Sequence, residues 1–262
     1  MNDLVSIIMP SYNCGEFVEK SIRSVQAQTY SNWELIFMDD CSSDDTIHKV
    51  MELKEKDIRI RLFQNKVNSG AAISRNNALL EAKGRWIAFL DSDDLWGPEK
   101  LEKQVRFMEE NGYKFSYTCY QEMDSEGKLT GVVVSGPSHV TKKGMFAFCW
   151  PGCLTVMYDR EAIGLIQIED IKKNNDYAMW LKVCKKADCY LLPEVLAKYR
   201  RGRSGSVSSH GISTMIRWHY KLFHDAEKLR AVSSLWHTGV NLICGLYKKM
   251  RYVQKRQVEN FQ

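Results

Sequence analysis

Four short strand-like runs in the first 90 residues, at 5–9, 33–38, 59–64 and 86–90, alternate with segments of helical spacing. Each run has the length of a strand, and Phe17, Ile22 and Val25 recur at helical intervals between the first two. Residues 44–56 and 70–83 read as further helices, the second opening at Gly70. Strands joined by helices run parallel, and their crossovers are right-handed. The predicted fold class is therefore α/β, with a mostly parallel sheet and helices on both faces. Such a sheet gathers the carboxyl ends of its strands along one edge, where ligands of open α/β folds bind. The rhythm continues with a helix over 98–110, where Pro98 suits the first turn, and a strand over 115–120.

Polar clusters follow the first, second and fourth runs, so they should converge. After 86–90 comes Asp91-Ser92-Asp93-Asp94. A turn beginning at Ser92 brings Asp91 and Asp93 onto one hard divalent cation, and oxygen ligands of this kind suit Mg²⁺ or Mn²⁺ better than zinc. The bland alternative is a solvated acidic turn ahead of the next helix. Tyr12 offers a flat face to a nucleobase. Asp39 offers an acceptor to an imide N–H, which uracil and thymine have and cytosine lacks. Gly70 stands at a helix start, from which Arg75 reaches toward a phosphate. Taken singly, Tyr12 is an ordinary turn residue, Asp39 an N-cap and Arg75 a surface charge; their order and spacing argue for a site.

Beyond residue 120 the rhythm changes. Asp124-Ser125-Glu126-Gly127 reads as a hairpin turn between 120–123 and 129–134. A strand is expected over 153–158, a helix over 174–186, and two short strands at 190–192 and 195–199. No repeat or low-complexity linker marks a second domain. The division expected is one domain over 1–212, in two halves at 1–110 and 111–212, followed by a helical basic tail over 213–262.

Four motifs carry a family resemblance. Val5-Ser6-Ile7-Ile8-Met9-Pro10-Ser11-Tyr12-Asn13, Asp39-Asp40-Cys41-Ser42-Ser43-Asp44-Asp45-Thr46, Asn68-Ser69-Gly70 with Ser74-Arg75-Asn76, and Phe89-Leu90-Asp91-Ser92-Asp93-Asp94 resemble, in order, the family 2 inverting glycosyltransferases of the GT-A fold. The resemblance implies a nucleotide-binding set of Pro10, Tyr12, Asp39, Arg75, Asp91, Ser92 and Arg203, and a metal-binding Asp-x-Asp of Asp91 and Asp93. It also implies a catalytic base at the start of a downstream helix. Here the matching segment is Asn174-Asn175-Asp176-Tyr177, so Asp176 is the base and Asn175 stands where a Glu is usual. Arg203, in the segment 199–208, stands where a lid histidine is usual; it can pair with phosphate oxygens but cannot ligate a cation.

The activity so implied is transfer of one sugar from a nucleotide-diphosphate donor, a UDP-sugar by the Asp39 argument, to the hydroxyl of a lipid-linked or surface-polysaccharide glycan. The processive Gln-x-x-Arg-Trp motif is incomplete: Arg217-Trp218 lacks a glutamine in register. A sugar nucleotidyltransferase needs a basic glycine-rich loop after the first strand, and Pro10-Ser11-Tyr12-Asn13-Cys14-Gly15 has no basic residue. The remaining alternative is a catalytically inactive sugar-nucleotide-binding protein, against which the retention of Asp91, Asp93 and Asp176 argues.

Charge places the partners. From Arg200 onward 12 Lys and Arg face three acids, while the whole chain carries +5, so the tail is basic and the body acidic. No recognition motif points to nucleic acid. The apolar positions Val232, Leu235, Trp236, Val240, Ile243, Leu246, Tyr247 and Met250 form a helical stripe ahead of Lys248, Lys249 and Arg251, the pattern of a helix lying on an anionic membrane surface. Packing on the body, or a homodimer through the C-terminal helices, is the alternative. The N-terminus has no signal-peptide pattern, and the eight cysteines include no Cys-x-x-Cys pair and read as reduced. The expected location is cytoplasmic, at the inner face of the cell membrane where the acceptor requires it.

Overall fold

The computed structural model describes residues 3–202 and 211–255. In chain order the elements are β1 (Val5–Ser11), α1 (Val18–Gln26), β2 (Trp33–Asp39), α2 (Thr46–Lys56), β3 (Ile60–Gln64), α3 (Gly70–Glu81), β4 (Trp86–Phe89), β5 (Leu95–Trp96) and α4 (Lys100–Asn111). There follow β6 (Phe115–Met123), β7 (Leu129–Val134), β8 (His139–Val140), α5 (Lys142–Ala147), β9 (Met157–Asp159), α6 (Arg160–Ile163), α7 (Asn175–Cys184), β10 (Cys189–Arg200), α8 (Ile212–Lys221), α9 (Ala231–Arg251) and β11 (Val253–Lys255).

β3, β2, β1 and β4 lie side by side and parallel, as the alternation requires. The register Ser11↔Asp39 sets the ends of β1 and β2 level. Alternate residues of β1 serve opposite faces. Val5, Ile7 and Met9 pack with Val18, Ile22 and Val25 of α1 and with Leu101, Val105 and Met108 of α4. Ile8 packs on the other side with Ala78 and Leu79 of α3 and with Trp180 and Leu181 of α7. Both faces of β1, β2 and β4 are thus covered and every residue in them is buried, whereas β3 at the edge is only partly so.

The second half is mixed. β9 runs antiparallel to β4 and β6, β10 parallel to β6, and β7 antiparallel to β6. One sheet therefore runs through both halves. Where a single strand was expected over 153–158, residues Cys153–Thr155 form a 3₁₀ turn and β9 begins at Met157. The two short strands expected around Pro193 are one strand, β10, with register shifts between Leu192 and Ala197. Proline cannot donate to a ladder, and the irregularity accommodates it.

The tail returns to the sheet. β11 pairs antiparallel with β7, Asn241 Nδ2 donates to the Tyr177 hydroxyl (2.9 Å), and Lys248 Nζ donates to the Trp150 carbonyl (2.7 Å). No helix among the described residues is long and apolar enough to cross a membrane, and the eight cysteines are free.

Trp180 joins the layers. It is fully buried, with its ring centroid 5.0 Å from Phe89, edge-on, and 5.9 Å from Phe115. Trp180→Ala should lower stability by about 3–5 kcal/mol, read from the urea midpoint; a change below about 1 kcal/mol would mean that this contact does not hold α7 to the sheet.

Candidate active site

The strand ends open into a cleft of about 830 Å³. Pro10 and Tyr12 line it from the end of β1, Ser74 and Arg75 from α3, Asp91, Ser92 and Asp93 from the segment after β4, and Asn175 and Asp176 from the start of α7. Of the residues singled out from the sequence, these seven meet in one place: Pro10, Tyr12, Arg75, Asp91, Ser92, Asp93 and Asp176. Asp39 is buried at the end of β2. Its Oδ2 accepts from the Ser42 N–H (2.9 Å) and Gln64 Nε2 (3.2 Å), and its Oδ1 has no hydrogen-bond partner among the described residues. An enclosed carboxylate oxygen left unpaired is costly, and Asp39 is not among the residues lining the cleft. Arg203 lies outside the described residues.

Local chemistry positions each group. Asp40 caps α3: its Oδ1 accepts from the Ser69 N–H (2.8 Å) and its Oδ2 from the Gly70 N–H (2.7 Å). Gly70 has φ +84°, a left-handed conformation that glycine adopts without strain. The loops after β1 and β2 are stitched together. Asp44 Oδ2 accepts from the Gly15 N–H (2.9 Å), the Thr46 hydroxyl from the Cys14 N–H (2.8 Å), and Asn13 Oδ1 from the Ser43 N–H (2.8 Å). Much of the acidic, hydroxyl-rich motif over 39–46 therefore holds the loops after β1 and β2 in shape.

Arg75 sits at the centre. Its guanidinium is buried and donates from Nη2 to Asp91 Oδ1 (2.5 Å) and from Nη1 to Asn175 Oδ1. Burial opposes the charge, but Cys153, Asp91 and Asp176 close by together outweigh it and the pKa is raised. Arg75 thus bridges the end of β4 and the start of α7. Asn175, where a carboxylate was the usual residue, serves as its neutral acceptor.

Asp176 occupies the first turn of α7, and its Oδ1 accepts from the Tyr177 N–H (2.8 Å). Burial pushes its pKa above the ordinary 3.8, with Arg75 pulling the other way. Asp94 is different. It is buried, its Oδ1 accepts from the Arg200 N–H (2.8 Å), and burial beside Asp93 and Asp91 raises its pKa well above the ordinary value. It ties β10 to the acidic turn and does not line the cleft.

Sequence reasoning missed two contributors. Arg200 is buried, donates from Nε to the Asp93 carbonyl (2.9 Å) and from Nη1 to the Ser125 carbonyl (2.8 Å), and lies 4.5 Å over the Phe17 ring. Thr214, Met215, Trp218 and His219 of α8 line the cleft on the side of Asp176. His219 Nδ1 lies 2.9 Å from the Met215 carbonyl, and burial lowers its pKa below 6.5. The only available signal for α8 was the Arg217-Trp218 pair.

Oxygen donors at a strand end are the right chemistry for Mg²⁺ or Mn²⁺. Asp91 and Asp93 both reach the cleft, although no group of three or more His, Cys, Asp or Glu gathers there among the described residues. Two carboxylates leave coordination positions for a diphosphate, which fits a cation shared with a ligand.

Residues 6–143 match the family described as Glycosyl transferase family 2. The chain is 38% identical over 234 residues to the putative teichuronic acid biosynthesis glycosyltransferase TuaG of Bacillus subtilis, covering 89% of this chain and 92% of that one. It is 42% identical over 216 residues to the UDP-Glc:alpha-D-GlcNAc-diphosphoundecaprenol beta-1,3-glucosyltransferase WfgD of Escherichia coli, covering 82% and 83%. Among solved structures, Staphylococcus aureus TarS in complex with UDP-GlcNAc superposes with a TM-score of 0.68 at 20% identity, over 88% of this chain and 69% of that one. The mannosyltransferase PcManGT of Pyrobaculum calidifontis, in complex with GDP-Man and Mn²⁺, gives 0.65 at 17% identity, over 94% and 75%. The chain belongs to glycosyl transferase family 2 and is a glycosyltransferase with the GT-A fold.

Asp176 should govern the acid limb of activity. Proton acceptance needs the carboxylate, and a raised pKa moves its loss to higher pH. The kcat/KM profile should therefore break above pH 3.8 on acidification, and a profile flat down to pH 4 would show that no buried carboxylate limits the reaction.

Proposed function

We propose that this enzyme is a non-processive, inverting glycosyltransferase that moves one sugar from a UDP-sugar to a hydroxyl of a lipid-linked glycan. The observation that carries the reading is Asp176: a carboxyl with a raised pKa, at a helix start, lining the same cleft as Arg75, Asp91 and Asp93. Asp176 takes the proton of the acceptor hydroxyl. That oxygen bonds to the anomeric carbon as the bond from this carbon to the diphosphate breaks, and the electron pair leaves with the nucleoside diphosphate. One displacement from the opposite face inverts the centre, with no covalent nucleophile.

Pro10 and Tyr12 hold the base and Asp39 accepts its imide N–H, which favours uridine. Asp91, Ser92 and Arg75 lie against the diphosphate, and Arg203, outside the described residues, supplies a further cation for it. Asp91 and Asp93 hold the cation, Mn²⁺ or Mg²⁺, which supplies positive charge to the leaving diphosphate. Mn²⁺ in the PcManGT complex, and UDP-GlcNAc in that of TarS, support the metal and donor class. The lipid-diphosphate acceptor in the name of WfgD supports the acceptor class, and with it a peripheral position at the cytoplasmic face of a membrane. His219 and Trp218, from α8, flank the acceptor side.

The test is Asp176→Asn. UDP binding, measured by calorimetry, should stay within about 3-fold while transfer falls by roughly 10²-fold or more. Transfer at the wild-type rate would place the base elsewhere, and unchanged UDP release by Asp91→Ala in EDTA would remove the cation from the reaction.

A further inference from the structure

Helix α9 packs with its polar side inward. Ser234, Thr238 and Asn241 are buried; Thr238 Oγ1 donates to the Ser234 carbonyl (2.8 Å) and Asn241 reaches Tyr177. Val232, Leu235, Trp236, Ile243, Leu246, Tyr247 and Met250 are exposed instead, Val232 at 81% and Trp236 at 70%. At about 100° per residue these seven fall within about 60° of a single line down the helix, opposite the buried three. A soluble surface rarely presents so continuous an apolar stripe unless something covers it. At about 1.5 Å per residue the helix is about 30 Å long, and its described neighbours leave that side open.

Charge identifies the occupant. No Asp or Glu occurs between Lys228 and Lys255. Lys228 and Arg230 stand exposed before the helix, and Lys249 and Arg251 flank the stripe at its far end. A second copy packed symmetrically on this face would set these cations against one another with no acid between them, which costs affinity. An anionic bilayer meets both demands: acyl chains for the stripe, and phosphates for cations at its margins.

We propose that the outward face of α9 docks on an anionic lipid bilayer, with the helix lying flat among the headgroups. The geometry adds a reason for the position. α8 packs on α9, and Thr214, Met215, Trp218 and His219 of α8 line the cleft near Asp176. The docked helix pair therefore holds the acceptor side of the cleft beside the membrane, where a lipid-linked hydroxyl would arrive. That purpose rests on the acceptor class proposed above, whereas the docking itself is measured without turnover.

The experiment is sedimentation of the full chain with vesicles of phosphatidylglycerol and phosphatidylcholine, against phosphatidylcholine alone. The chain should pellet with the anionic vesicles, less so as salt is raised. The pairs Trp236→Ser with Ile243→Ser, and Lys249→Glu with Arg251→Glu, should each weaken this by at least ~10-fold, with UDP release from UDP-glucose in solution unchanged. Loss of sugar transfer in a chain that still pellets would count against the proposed acceptor and leave docking standing. The proposal is overturned if the unaltered chain stays in the supernatant with anionic vesicles, or if both variants pellet as it does. It is equally overturned if the unaltered chain is a dimer in buffer that the same substitutions dissociate.

Discussion

A buried guanidinium needs partners, because an unpaired ion in that setting costs several kcal/mol. Arg75 has Asp91 on one side and Asn175 on the other, while its Nε is left without a partner among the described residues. The residue thereby links the turn after β4 to the first turn of α7, the segments that carry Asp91, Asp93 and Asp176. Asp91 lies against the arginine and Asp176 is within its field, so the guanidinium offsets part of the negative charge of the cleft before any ligand enters. Asn175 matters for the same reason. A second carboxylate there would add negative charge beside Asp176 and hold its proton more firmly; the amide accepts from Arg75 without adding that charge.

The rest of the cleft is built so that Arg75 arrives in the right place. Asp40 fixes the start of α3, and Arg75 follows one and a half turns later on that helix. Asp94 and Arg200 clasp the acidic turn to the end of β10. Three acids in succession would repel one another in a free turn. Here Asp94 is withdrawn into the protein, its pKa raised well above the ordinary value by burial, so Asp91 and Asp93 remain as the two facing the cleft.

The first half of the fold was legible because β1, β2 and β4 are buried on both faces and helices join the four parallel strands, so period and length agree. The second half was less so. β9 is three residues long and follows a 3₁₀ turn, and β10 passes through Pro193, so local signals pointed to one strand too long and to two where there is one. At the site, groups beside strand ends could be read from order and spacing alone. The roles of Asp44 as a loop stitch and of Arg200 as a clasp could not, since each depends on a partner distant in the chain. The stripe on α9 was visible as a period, but the side that packs on the body carries serine, threonine and asparagine. A hydrophobic pattern cannot tell a buried face from one turned to solvent when the buried face is polar.

The central claim is a single displacement in which Asp176 deprotonates the acceptor. Its most direct test is the configuration of the product. With UDP-glucose as donor, whose sugar is α-linked, and a diphosphate-linked N-acetylglucosamine as acceptor, the new linkage can be read from the anomeric proton coupling by NMR. A β-linked product is the result this account predicts; an α-linked product would contradict it.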